Sequence, residues 1–360
     1  NKKIINKDNY YKAGDYIGYS GIEQSYEKML RGKKGIKVFI VDVFNRIKGS
    51  FTDGKYDSLA VPGMNITSTL HKKLQAYGEL LMKNKKGSIV AIEPSTGEIL
   101  ALITSPSYNP NLLVGRARTK HYKQLKTDTL EPLFNRALMA QYPPGSIFKV
   151  IQALIGMQDS VIFPNTMFSC NRNLVNCHNH RSPLDLHGSI QHSCNPYYYM
   201  VFKRIIYQEI SGLPGQTSNK YKDSKTGLKR WRKHVLSFGL GKKLGIDLST
   251  EKGGNIPTVN YYNKVYEKGR WKFETIYSLG IGQGEILLAP LQMANFTAII
   301  ANRGFYYTPH LIRSPTPSLP EGRGHQRSKN HTTIDPRHFE LIVDAMQDVV
   351  EKGTARRAII

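Results

Sequence analysis

Short apolar runs alternate with glycine and lysine over the first 85 residues. Gly21-Ile22-Glu23-Gln24-Ser25-Tyr26-Glu27, followed by Leu30-Arg31-Gly32, predicts one short amphipathic helix stopped by glycine. Val38-Phe39-Ile40-Val41 predicts a strand. Leu70, Leu74, Leu80, Leu81 and Met82, separated by Lys and Glu, predict a helix leading out of the segment. From Lys86 the period changes. Gly87 to Ile92 reads as a strand, Glu93-Pro94-Ser95-Thr96-Gly97 as a turn, and Glu98 to Ile103 as the returning strand. Such a hairpin belongs in an antiparallel sheet. Ser146 to Met157 and Ser189 to Ile206 are each long enough for a helix. Helices after a hairpin point to an α+β architecture. Residues 207–235, polar and basic, read as a surface insertion, and residues 314–331 as a mobile loop. No internal repeat is present.

Composition narrows the class. Of 360 residues, 40% are hydrophobic and 22% charged, which excludes a disordered tail, a collagen and a coiled coil. The length suits two domains, or one large domain with an appendage. No run of about 18 apolar residues exists, so no membrane span is expected in these residues. No signal peptide is visible, and the polar residues Asn1 to Tyr11 read as already mid-domain, so the start reads as a cloning boundary. The net charge of +24 is spread along the chain. No zinc-finger, helix-turn-helix or RNA-recognition signature accompanies it, so nucleic acid ranks last as a partner. An anionic polymer or a phospholipid surface fits at least as well, and solvated lysines on a neutral fold explain it equally.

The most informative stretch is Tyr142-Pro143-Pro144-Gly145-Ser146-Ile147-Phe148-Lys149. Pro-Pro-Gly cannot continue a helix, and a helix follows at once, so Ser146 sits near a helix start. Lys149 lies one turn later on the same face. A serine hydroxyl is a weak nucleophile until a base takes its proton, and a partly buried lysine with a lowered pKa can be that base. The helix start offers backbone N–H groups to a developing oxyanion. Taken alone, S-x-x-K is as readily a capping serine with a solvated lysine. Ser193-Cys194-Asn195 follows 47 residues after Ser146. By itself S-x-N would be a helix cap. In this order the two motifs match the S-x-x-K and S-D-N pair of penicillin-binding proteins and class A β-lactamases.

On these motifs the chain resembles the class B penicillin-binding proteins, most closely their elongation-type branch, penicillin-binding protein 2. The likeness extends over nearly the whole chain. Gly14 to Gly18, Gly21-Ile22-Glu23 and Leu30-Arg31-Gly32 look like the family's N-terminal pedestal. Gly87 to Pro110 looks like its first transpeptidase hairpin, and Ser193 to Tyr198 like its second motif. Phe238-Gly239-Leu240-Gly241, Gly245-Ile246-Asp247-Leu248, Gly280 to Glu285, Pro290 to Ala294, Ala301 to Gly304 and Gly353-Thr354-Ala355 follow in family order. Two departures stand out. Ile147 occupies a position where the family usually has threonine, a change read as packing only. The one K-T-G, Lys225-Thr226-Gly227, precedes Phe238 and is read as a glycine turn in a basic loop. The family's K-T-G strand lies beyond Gly353-Thr354-Ala355, so it is expected past Ile360.

The resemblance implies a penicillin-binding transpeptidase fold: an antiparallel sheet covered by helices, an all-helical lobe, and a smaller pedestal. The expected limits are residues 1–85 for the pedestal, of dimerisation type, and 86–360 for the transpeptidase domain. It implies peptidoglycan D,D-transpeptidation through an acyl-enzyme on Ser146 during cell elongation. Lys149 would be the base, Ser193 the proton shuttle and Asn195 the group that orients substrate. The implied ligands are stem peptides and β-lactams, and the implied partner is a membrane glycosyltransferase. The implied location is the periplasm, anchored in the inner membrane by a single pass preceding these residues. No catalytic cofactor is implied. A serine β-lactamase or D,D-carboxypeptidase has the same triad, but the pedestal and Gly282-Gln283-Gly284-Glu285 argue against it. A non-catalytic sensor or scaffold would keep the fold.

Three cysteines fall in one 25-residue window, an odd count that is not a disulfide framework. Cys170, Cys177 and Cys194, with His180 preferred over His178, form a set of soft thiolates plus imidazole that suits structural zinc. Some elongation-type relatives carry a structural metal beside the second motif, in line with this. A Cys170–Cys177 disulfide with Cys194 free is the alternative.

Overall fold

The computed structural model describes residues 10–12, 15–208, 219–313 and 328–358. The chain divides into two compact units. The first takes Asn1–Thr69, Asp247–Thr250 and Leu311–Gln326. The second takes Leu70–Ile246, Glu251–His310 and Arg327–Ile360.

In the first unit the expected single helix is two short ones, Gly21–Ser25 and Glu27–Leu30, broken at Tyr26. Gly32 then turns the chain at φ 65°, and a Cβ there would lie 2.2 Å from the Val61 carbonyl oxygen. No L side chain fits that approach, so glycine is required. Phe39–Val41 pairs antiparallel with Ile47–Ser50. Thr67–Ser68 pairs with Ile312–Arg313, nearly 250 residues later. The Asp247 carboxylate accepts from the backbone N–H groups of Leu311 and Ile312 at 2.9 Å and from Tyr26 Oη at 3.0 Å. One carboxylate therefore ties three distant segments together.

The second unit is built on the predicted hairpin. Gly87–Ile92 pairs antiparallel with Ile99–Ser105, with Val90 opposite Leu102. Ile99–Ser105 alternates buried and half-buried residues, the period-two pattern of a strand with one covered face. The helix Lys72–Leu81 covers the hairpin, with Gly78 so close that a Cβ would sit 2.7 Å from Ile103 Cδ1. Pro290–Ala301 packs on Gly87–Ile92. The helical part centres on Lys149–Gln158, where every residue from Lys149 to Met157 is buried. Around it lie Asn195–Tyr207, Lys220–Ser237 and Phe339–Glu351.

Three expectations are corrected here. The helix read over Ser189 to Ile206 is two helices, Leu186–Gln191 and Asn195–Tyr207. Pro196 is the cause: its ring would clash with the carbonyl one turn back and it has no N–H to donate, so the helix must restart. Ser193 takes up the break at φ 50°. The supposed surface insertion holds the 18-residue helix Lys220–Ser237, in which Ser224, Leu228, Trp231 and Val235 are buried at helical spacing. Lys225-Thr226-Gly227 thus lies on this helix and makes no turn. Gly227 is there because a Cβ would meet the Ile206 carbonyl oxygen at 2.0 Å. Of the supposed mobile loop, residues 314–327 lie outside the described residues. Lys329–His331 is a strand paired with Phe305–Tyr307.

Candidate active site and thiol cluster

Ser146 lies in the 3-10 turn Gly145–Phe148, which runs directly into the helix Lys149–Gln158. Gly145 makes the entry at φ 62°, and its N–H donates to the Gly282 carbonyl at 2.9 Å. Phe148 is buried and sets its ring edge-on to Trp231 at 6.2 Å, which anchors the turn. Ser146 itself is exposed. Ile147 beside it is 47% exposed, so its exchange for the family's threonine changes the lip of the site and not the core.

Lys149 is 2% exposed. Its Nζ donates to Ser193 O at 2.6 Å, Ser193 Oγ at 3.0 Å and Asn195 Oδ1 at 2.6 Å. These are the three donors of an ammonium. No hydrogen bond joins it to Ser146. Burial lowers the Lys149 pKa from 10.5 to about 8, against an opposing pull from the Cys177 and Cys194 thiols. The kink at Ser193 is what brings its carbonyl and its hydroxyl to the same lysine. Asn195 is occupied on both sides: Oδ1 accepts from Lys149, and Nδ2 donates to the Asn176 carbonyl at 2.7 Å.

Asn176 belongs to the loop that carries Cys170 and Cys177, while Cys194 caps the helix Asn195–Tyr207. Cys170 Sγ, Cys177 Sγ, His180 Nε2 and Cys194 Sγ all lie within 4.8 Å of one another. His180 Nε2 is 3.4 Å from Cys177 Sγ, and its Nδ1 bonds the Arg181 carbonyl at 2.7 Å. That bond fixes the tautomer that leaves Nε2 free to ligate. A tetrahedron with metal–sulfur bonds of about 2.3 Å has edges of about 3.8 Å, so the donor set fits a tetrahedral cation. All three cysteines are free thiols, and no disulfide joins Cys170 to Cys177. Burial pushes the Cys194 thiol up to about 12. Ionising it needs a cation beside it. The Asn195 N–H also points at Cys177 Sγ, 3.4 Å away.

Three groups at the site have little or no signal in the sequence. The Asn176 carbonyl is backbone and leaves none. Gly282 stood in a recognised glycine run without a role. Gln152 is a lone amide in the apolar run Val150 to Ile155, and that solitude was the available signal.

The turn-borne serine, buried lysine and kinked Ser-Cys-Asn have the S-x-x-K and S-x-N arrangement of the penicillin-binding class. The chain belongs to the penicillin-binding transpeptidase family: residues 87–359 match the penicillin binding protein transpeptidase domain, and residues 1–68 match the penicillin-binding protein dimerisation domain. It is 31% identical over 366 residues to the peptidoglycan D,D-transpeptidase MrdA of Acinetobacter baumannii, covering 98% of this chain and 50% of that protein. The chain thus spans about half the length of the curated relatives it matches. The fold is similar to that of Pseudomonas aeruginosa PBP2 in complex with WCK 5153, with a TM-score of 0.74, 28% identity, and coverage of 99% of this chain and 71% of that one. It is also similar to a chain in a peptidoglycan synthase complex that coordinates polymerisation and crosslinking, with a TM-score of 0.76, 25% identity, and coverage of 100% and 60%. These solved structures bear out the α+β penicillin-binding fold with an N-terminal domain of dimerisation type.

Proposed function

We propose that this chain is part of an elongation-type peptidoglycan D,D-transpeptidase and works through an acyl-enzyme on Ser146. The observation that carries the reading is the buried Lys149, held between Ser193 and Asn195 at the first turn of the helix that begins with the exposed Ser146. Ser146 Oγ attacks the carbonyl carbon of the D-Ala-D-Ala bond and its proton passes to neutral Lys149. The amide bond breaks, the leaving D-Ala amine receives a proton, and the ester on Ser146 remains. An amine of a neighbouring stem then attacks that ester and restores the serine.

The hydrogen-bond partners of Lys149 support a distinct job for Ser193. When Nζ loses a proton it keeps two donors and gains a lone pair. The Ser193 carbonyl and Asn195 Oδ1 can only accept. The Ser193 hydroxyl alone can turn and donate to the lone pair. It is therefore the group that can relay a proton between Nζ and the leaving amine. Asn195 Nδ2 has two hydrogens, one on the Asn176 carbonyl and one to offer a substrate amide.

Cys170, Cys177, His180 and Cys194 would hold a structural zinc with no open position, fixing the loop that carries Asn176. The synthase complex among the similar structures supports a membrane glycosyltransferase as partner. The peptidoglycan D,D-transpeptidase activity named for the MrdA relatives supports a periplasmic site on the inner membrane, on the side where peptidoglycan lies. No helix of the described residues is long and apolar enough to cross a membrane. The test is covalent. A fluorescent penicillin incubated with the full-length protein should leave one stable acyl group on Ser146 and none on Ser146→Ala. Mass spectrometry that placed the group elsewhere, or found none, would end this reading. Rapid turnover of the adduct would replace it with a β-lactamase.

A further inference from the structure

Gln152 sits on the same helix as Lys149, fully buried among apolar neighbours. Its amide is used at both ends. Oε1 accepts from the indole Trp231 Nε1 at 3.0 Å, and Nε2 donates to the Leu279 carbonyl at 3.1 Å. An indole N–H only donates and a carbonyl only accepts, so the two partners fix which way the amide faces. The Leu279 carbonyl also accepts from the Gly282 N–H at 3.2 Å. The Gly282 carbonyl in turn accepts from the Gly145 N–H at 2.9 Å, one residue before Ser146. Gly282 lies so close to this turn that a Cβ there would sit 2.2 Å from the Gly145 carbonyl oxygen, so no side chain can stand between the two segments. The bonds therefore run from Trp231 through Gln152, Leu279 and Gly282 back to the turn that presents the nucleophile.

We infer that Gln152, oriented by Trp231, is a positioning residue for Ser146, holding the 277–282 segment so that Gly282 fixes the Gly145–Ser146 turn. The inference rests on the acyl-transfer reading for its effect on rate, but its geometry can be measured without it. A hydrophobic residue would be the ordinary occupant of so buried a site. An amide there requires ordering two partners, and the partner that matters is the carbonyl next to the nucleophile's support.

Gln152→Met keeps the volume and removes both bonds. It should lower the limiting rate of penicillin acylation about tenfold, equal to about 1.4 kcal/mol, with the affinity for penicillin unchanged. It should also speed amide exchange in residues 142–148. It will lower the melting temperature as well, since it strands the buried Trp231 N–H. The double variant Gln152→Met/Trp231→Phe removes that orphan, because apolar groups replace both partners. Measured against Trp231→Phe alone, which carries the cost of the smaller ring and of the altered Phe148 contact, the double variant should show no further loss of melting temperature but a slower acylation and a less protected 142–148, since the Leu279 carbonyl then keeps only the Gly282 N–H. Acylation as fast in the double variant as in Trp231→Phe would overturn the inference and leave Gln152 a core residue. Unchanged exchange over 142–148 in Gln152→Met would overturn it too. If the wild type takes no penicillin, the functional reading fails, and exchange alone decides the role of Gln152.

Discussion

Raising the pH from about 7 to about 9 should speed acylation of Ser146 roughly tenfold, because Lys149 must be neutral to act as base. Burial brings its pKa from 10.5 to about 8. At pH 7 about 9% of the lysine is then neutral, and at pH 9 about 91%. With an ordinary pKa the neutral fraction at pH 7 would be about 0.03%, so burial multiplies the active base about 300-fold. The assay is stopped-flow acylation by a fluorescent penicillin at low concentration, where the rate reports the free enzyme. A midpoint near pH 8 is expected. The same shift has a stability consequence of known sign. The folded Lys149 pKa is below its unfolded value, so between about pH 8 and pH 10.5 the unfolded chain binds more protons, and stability rises with pH across that window. A rate flat from pH 7 to 9, or a midpoint near 10.5, would remove neutral Lys149 from the mechanism.

Lys149→Arg keeps the charge but cannot lose its proton near neutral pH. Acylation should fall to the level of Ser146→Ala while circular dichroism stays native, and near-normal acylation would exclude the base role. Protein purified without chelator should contain close to one zinc per chain by elemental analysis. Cys194→Ser should lose that zinc and lower both the melting temperature and the acylation rate. A metal-free wild type with a Cys170–Cys177 disulfide in its peptide map would decide for the disulfide. Asn295 is fully buried with neither amide atom partnered. Asn295→Leu should therefore stabilise the fold by about 1–3 kcal/mol, raising the melting temperature by a few degrees. A lower melting temperature would mean that the amide is satisfied in the natural protein.

What could be read from the sequence was local. The hairpin at Gly87 to Ser105 follows from alternation and a turn, and the nucleophile turn follows from Pro-Pro-Gly. The gathering of Cys170, Cys177, His180 and Cys194 was legible because they are near in sequence. Pro196 was an available signal for the break at Ser193, but the apolar run across it hid the break. The helix Lys220–Ser237 is hard to see because twelve of its eighteen residues are polar or charged around a narrow stripe ending at Trp231 and Val235. The bonds of Lys149 to the Ser193 carbonyl, and of Asn195 to Asn176, involve backbone atoms of distant segments. Residue identity carries no mark of them.

The Asp247 carboxylate has a temporal meaning. It joins Tyr26 to Leu311 and Ile312, and Thr67–Ser68 finds its strand partner only at Ile312–Arg313. A ribosome adds about 5–20 residues per second, so roughly 10–50 s pass between the emergence of Ser68 and that of Ile312. During that interval the first unit has its own N-terminal sequence but neither the carboxylate nor the strand that closes it. The earlier-made part of the first unit thus waits for the later-made part to close it. A chaperone that holds it open until Arg313 appears would be acting on a vulnerability set by chain order alone.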